Sequence, residues 1–483
     1  MQMKRLLCGI ERARWERRAG SLCALLLLTG CATFDQRAGF SDVSTAVEAR
    51  SGKRVAWNLG SELDAEASAD VRRLLAGSLT ADGAIQVALL NNRGLQATYA
   101  ALGVAQADVV QAGLLANPIF AGAVFFPVAG GPAKADLSVA MSFLDVFYRP
   151  LRRRVATARF EEAKLQVTGA VLDFAATVRA AFYRHQAEEQ RLELLETVVQ
   201  ALAVSAEVSE RLYAAGNITD LDRARERALL EEERLQLRAA EVAAQESRVE
   251  LNTLMGLWGE ETAWQVERRL PDVPADALPL EGLEPLALAE SLDVASARQR
   301  LVAGGEELGV SRAMLFIPES SLGAGAEHEA GGWKVGPSIE LPVPLLNQGQ
   351  GRLGRAAAEF RRAEQEYYDV GVRVRSTARL LKARVQGAED RARYSRDVVL
   401  PLRECIVRET QLQYNAMQVG AFELLRAREQ EIQAAIAYVD ALLDYWLART
   451  ELEQLLSGRM PSGTAGTTSR RERRQGTNEN AGH

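Results

Sequence analysis

The chain has 483 residues, 47% hydrophobic and 25% charged but only 6% aromatic, with a net charge of −6. That length exceeds one ordinary domain, yet no linker of the usual kind divides it. The acidic balance argues against nucleic acid as a partner. The three histidines, His185, His328 and His483, have no metal-ligand spacing.

The N-terminus reads as a leader. Lys4, Arg5, Arg12, Arg14, Arg17 and Arg18 precede an apolar run at residues 22–28. This is a signal-peptide layout, with a run too short to span a bilayer. It ends in Leu28-Thr29-Gly30-Cys31, which resembles a bacterial lipobox. The resemblance implies cleavage of residues 1–30 and acylation of Cys31. Otherwise Cys31 is an ordinary cysteine behind a plain signal peptide. The next residue is Ala32 and not aspartate, which by likeness to other lipoproteins points to the outer membrane. Six basic and two acidic residues leave with the leader, which takes −6 to −10. Cys405 then remains as the one free thiol, so no internal disulfide forms.

Residues 31–75 are mixed and polar, and read as an irregular segment. A first unit follows at 76–257. Its opening helix runs from Thr80, a plausible N-cap, to about Leu115, and Asn117-Pro118 breaks it. Residues 119–147 then read as a β-hairpin turning at Gly130-Gly131-Pro132. Leu137, Val139, Met141 and Phe143 alternate with Ser138, Ala140 and Ser142, giving one greasy face. After Pro150 a helix of roughly sixty residues, on the order of 90 Å, runs to a turn at 213–222. Such a helix needs lateral partners along its length. Gly216 suits a left-handed helix end, and Thr219 with Asp222 three residues on resembles a capping box. The return helix ends near Gly256.

Residues 258–284 carry Pro271, Pro274 and Pro279 and form a connector. The order then repeats at 285–460. A helix runs from about Leu286 to Leu315, Pro318 breaks it, and strands occupy about 321–345. Here Val335, Ile339, Leu341 and Val343 oppose Ser338 and Glu340. A second long helix spans about 351–414, where Pro401 should bend it. A second turn lies at 414–423, and the last helix ends near Gly458. Residues 461–483 read as a disordered polar tail. The fold class expected is mainly α with a small β part, built from a duplicated helix–strand–strand–helix–helix unit.

Four strands cannot close a barrel alone, and open edges cannot face lipid. Long helices with an uncovered stripe also need partners. Both point to a symmetric oligomer, with a strand barrel at one end and a helical tube at the other.

Five segments carry a family resemblance: ALLNNRGLQATYAALGVAQADVVQAGLLANP at 88–118, YAAGNITDLDRAR at 213–225, LNTLMG at 251–256, ELPVPLLNQGQGRLGRAAAEFRRAE at 340–364 and YNAMQVGAFELLRAREQE at 414–431. The chain resembles the TolC family of outer-membrane efflux proteins, and more closely its lipoprotein branch serving tripartite pumps. The resemblance covers roughly residues 75–460. It implies a homotrimer, with four strands per chain in a trimeric transmembrane β-barrel and the helices in a long periplasmic α-barrel. It also implies outer-membrane lipid, a periplasmic adaptor and a proton-driven inner-membrane pump as partners, passive conduction, no cofactor and no enzymatic activity.

By the same resemblance, adaptor docking falls on Tyr213, Gly216, Asn217, Ile218 and Thr219 at the first turn. At the second it falls on Tyr414, Met417, Gln418, Val419 and Gly420. Capping chemistry alone also explains Gly216, Thr219 and Gly420. Met417 stands where Gly216 does, which leaves the geometry of the second turn open. Asp220, Asp222 and Glu423 are either acids ringing the lumen or first-turn acids stabilising helix N-termini. By alternation, Ser138, Ser142, Ser338 and Glu340 face the barrel lumen, and Leu137, Val139, Ile339 and Leu341 face lipid. Type I protein secretion is the alternative within the channel class. A coiled-coil periplasmic adaptor lipoprotein is the alternative outside it, which the greasy strand hairpins disfavour.

Overall fold

The computed structural model describes residues 35–60, 62–126, 128, 133–275, 280–316, 320–329, 332–343 and 345–461. The leader, Cys31, the turn at 130–132, Pro279, Pro318, Pro344 and the tail from 462 lie outside the described residues.

The segment expected to be irregular is helical. Helix α1 spans Phe40–Ser51 and α2 spans Glu62–Leu75. Val43 and Val47 on α1 are fully buried, and Phe40 stacks edge-on against Tyr99 at 5.0 Å. A polar average hid an apolar face one helix wide. A two-residue strand β1, Ser78–Leu79, follows.

The first helix of the unit begins where expected but is broken once. Thr80 caps α3, Ala81–Asn91, by accepting from the Gly83 amide at 3.1 Å. Asn92 then stops α3 and caps α4, Arg93–Gly113, through the Leu95 amide at 3.0 Å. Strands β2, Ile119–Phe125, and β3, Lys134–Ser142, form the hairpin. It ends sooner than residue 147. The chain turns into α5, Asp145–Ala214, because the buried Asp145 carboxylate accepts from the Ala116 amide at 2.9 Å and from Arg152 at 2.5 Å. Pro150 therefore lies inside α5, near its start, and not ahead of it. At 70 residues, α5 is about 105 Å long. Helix α6, Asp220–Met255, returns alongside it and closes on Gly256 at φ 68°. Strand β4, Gln265–Val266, pairs in parallel with β1.

The second half copies this plan. Helices α7, Leu283–Glu290, and α8, Leu292–Phe316, are split at Ser291 as α3 and α4 are split at Asn92. Each break is held by the end of its own return helix. Asn91 Nδ2 donates to the Met255 and Gly256 carbonyls at 3.1 and 2.9 Å. In the second half, the Leu292 amide donates to the Gly458 carbonyl at 2.8 Å. Strands β5, Ser321–Glu329, and β6, Gly332–Glu340, precede the second long helix. Strand β6 ends before Pro342, which has no amide to extend the ladder. The long helix is α9, Gln350–Tyr394, followed by a π-turn at Ser395–Val399 and then α10, Leu400–Asn415. The π-turn is the local answer to Pro401, whose missing amide and ring forbid regular α-helix just upstream. Helix α11, Ala421–Leu456, returns.

The main core sits part-way along the long helices, among α3, α4, α5, α9, α11 and the connector. Toward the turns it shrinks to Val198, Leu202 and Leu230, with a few half-buried neighbours. Helices of this length with so thin a core bury little by themselves.

Candidate functional site

Helix α5 joins a strand hairpin at one end to a turn at the other, so the candidate residues fall at two separated ends.

At the first turn, α5 closes with Gly216 at φ 77°. The Gly216 amide donates to the Tyr213 carbonyl at 2.8 Å, and the Asn217 amide donates to Leu212 at 2.9 Å. This is a Schellman end. Thr219 and Asp222 complete a true capping box: Thr219 Oγ1 accepts from the Asp222 amide at 3.1 Å, and Asp222 accepts from the Thr219 amide at 3.3 Å. Arg223 lies over the Tyr213 ring at 4.2 Å and bonds Asp220 at 2.6 Å and Glu210 at 3.2 Å.

The second turn has the same backbone. The Met417 amide donates to Tyr414 at 2.9 Å and the Gln418 amide to Gln413 at 2.9 Å. Met417 takes φ 58°, the one non-glycine residue in that region among those described. Gly420 sits at φ −80°, ψ 164°, matching Thr219 at φ −80°, ψ 160°, but caps with no side chain. The mismatch in glycine position therefore leaves the turn geometry unchanged. Left-handed backbone costs a side-chain-bearing residue about 1 kcal/mol, and Met417 carries that cost while 95% exposed.

At the opposite end, β2, β3, β5 and β6 form one antiparallel sheet in that order. The two hairpins join through β3 and β5, with Ser138 opposite Gly325 and Leu137 opposite Ala326. Ser138, Ser142, Ser338 and Glu340 do share one face. Ser142 pairs Ser321, which pairs Glu340, and Ser321 Oγ bonds Glu340 Oε2 at 3.3 Å. Asp136, Glu327 and Lys334 form another row on that face, which the sequence reading did not select. The other face carries Phe120, Val124, Leu137, Leu322, Val335 and Ile339, all exposed. Strands β2 and β6 are open edges of the described sheet.

No family model matches the chain. It is 26% identical over 397 residues to the cobalt-zinc-cadmium resistance protein CzcC of Cupriavidus metallidurans, covering 80% of this chain and 91% of that one. It is 27% identical over 244 residues to the pyoverdine export outer membrane protein OpmQ of Pseudomonas putida, about half of each chain. In structure it is similar to the outer membrane channel CmeC of Campylobacter jejuni, with a TM-score of 0.65, 15% identity, and 90% and 94% of the two chains covered. In sequence and in fold the chain is thus similar to outer-membrane efflux proteins of the TolC family. OpmQ is an outer-membrane export protein and CmeC an outer-membrane channel.

In this chain the acids beside the first turn are already engaged. Asp220 is held by Arg223, and Asp222 is spent on its cap. The bonds from the Thr219 side chain and then its backbone hold the Asp222 carboxyl below the usual range. Glu423 lies in the first turn of α11. Acids further along the paired helices behave differently. Burial, then Glu429 and Glu232, pushes Glu233 up, and burial with nearby Glu226 pushes Glu429 up against the opposing pull of Arg426. Sequence reading missed this pair because it depends on the packing of α6 against α11. Among the described residues no group of His, Cys, Asp and Glu could hold a metal ion, and no helix is long and apolar enough to cross a membrane.

Proposed function

We propose that the chain is the exit duct of a tripartite efflux system. Three copies close a twelve-stranded barrel in the outer membrane, and their helices form the periplasmic tube. Ser138, Ser142, Ser338 and Glu340 line its lumen, and the Leu137 face meets lipid. The two turns of each copy meet a periplasmic adaptor, and a proton-driven inner-membrane pump supplies the energy.

One observation carries the reading. A sheet with two open edges and a largely exposed greasy face lies at one end of a helix about 105 Å long, whose other end is a capped turn. In lipid those edges need further strands around a closed ring, and copies of the same chain supply them here. Divalent cobalt, zinc and cadmium are the first cargo to test, since the match to the metal-resistance protein spans 91% of it and the match to the pyoverdine exporter half.

The test is purification from outer membranes, mass measurement and planar-bilayer conductance. The reading expects a conducting trimer. A monomeric, water-soluble, non-conducting protein overturns it. Metal sensitivity of a strain lacking the chain, reversed by returning it, tests the cargo.

A further inference from the structure

The two turns share one backbone and have opposite surfaces. Aligning Tyr213 with Tyr414 pairs Gly216 with Met417, Thr219 with Gly420, and Arg223 with Leu424. At the first turn the Tyr213 ring is covered by Arg223, which is itself held by Asp220 and Glu210. Asp222 and Thr219 satisfy each other. That turn is charged and internally satisfied.

The second turn has none of this. No charged residue occurs from Thr410 to Phe422, and the position of Arg223 is taken by Leu424. Leu412, Tyr414 and Met417 are 57%, 40% and 95% exposed. Met417 holds φ 58°, where glycine is the unstrained choice. A side chain 95% exposed returns nothing to the fold for that strain. Strain of this kind, imposed by the helical hairpin and offset by no packing of the side chain, points to use outside the chain.

We propose that the turns divide the docking between them. The second is a dry apolar anchor, with Met417 seated in an uncharged socket of the periplasmic adaptor and Tyr414 and Leu412 around it. The first makes a polar, salt-dependent contact. This rests on the docking reading above and adds which turn carries the affinity. The partner's socket is uncharged because a charge buried against this surface would be desolvated without compensation. A thioether on a flexible stem suits such a socket, since it adapts its shape without losing apolar contact.

The test uses the assembled channel in detergent and a purified periplasmic adaptor from the same organism. Affinity is measured at low and high salt for wild type, Met417→Gly, Met417→Leu and Arg223→Ala, with a thermal melt for each. Met417→Gly should weaken binding by about tenfold or more at both salt levels, while its melting temperature does not fall. Met417→Leu should bind close to wild type. Arg223→Ala should lose affinity mainly at low salt and flatten the salt dependence. If Met417→Gly binds as wild type at both salts, the division is wrong although docking at the turns stands. If wild type conducts in bilayers but does not bind the adaptor, the docking reading itself fails.

Discussion

Gly216 and Met417 end two different helices in the same left-handed conformation, at φ 77° and 58°, each bonded back to a tyrosine carbonyl three residues earlier at 2.8 and 2.9 Å. A Cβ added at Gly216 meets nothing within 4 Å. Replacing Gly216 therefore strains the backbone without causing a clash. Gly216→Met should cost about 1 kcal/mol, visible as a slightly lower thermal midpoint. Trimer formation and membrane insertion should survive, and pump coupling, read as resistance in cells, should fall. Loss of the trimer itself would mean that the residue only ends a helix.

Gly323 is glycine for a different reason. A Cβ there would lie 2.3 Å from the Val139 carbonyl oxygen and 2.8 Å from Ser338 Oγ. The neighbouring strand backbone, not conformation, excludes a side chain. Gly323→Val should separate β3 from β5, the one link between the two hairpins. Circular dichroism should retain the helical signal, while mass measurement shows no trimer and planar bilayers show no conductance.

His185 predicts acid sensitivity. It is fully buried on α5, where Nδ1 lies 2.9 Å from Ser247 Oγ. Ser247 donates its own proton to Ala244 at 2.8 Å, so the ring donates Nδ1–H to it. Nε2 is buried without a partner. Burial first, then Arg248, lowers the pKa from 6.5 to about 4. The unfolded chain thus takes up the proton first as pH falls. The stability is fully present above pH 6.5 and is lost on the way down toward pH 4. The loss amounts to about 3 kcal/mol at most. His185→Phe should remove this part of the pH dependence, as measured by thermal melts from pH 7.5 to 4.

Arg459 locks the end of the second unit. It donates to Asp173 on α5 at 2.6 Å and also pairs with Asp293 on α8. Its side chain passes over Gly169, where a Cβ would fall 2.8 Å from Arg459 Cδ. Burial holds the Asp293 carboxyl above the usual range even with this partner. Arg459→Ala should therefore destabilise the chain by about 3 kcal/mol, because a partly buried acid is left unpaired. Adding Asp293→Asn should recover part of that loss, and urea unfolding of the double-mutant cycle measures it.

Local chemistry made much of this protein legible in advance. The alternation around Leu137 and Ile339 marked strands because their period is two. Thr80, Gly216 and Thr219 marked helix ends because caps act within four residues. Pro401 announced a disturbance because it has no amide to give. The same signals marked the two turns, while the candidate docking residues there came from the family resemblance.

What escaped were relations between distant residues. The helix at Phe40–Ser51 gains its stability from Tyr99 and the core, so its own composition looked irregular. The strained geometry of Met417 was hidden because a whole helical hairpin imposes the turn on an unsuitable residue. The acids Glu233 and Glu429 acquire their character only when α6 meets α11. By itself the sequence determined the order of elements, the caps and the two-faced strands, since these depend on neighbours along the chain. Only the tertiary structure decided that β3 pairs with β5 and that the two turns share one backbone despite Met417. The strand pairing rests on contacts between residues far apart in the chain, which no local pattern encodes.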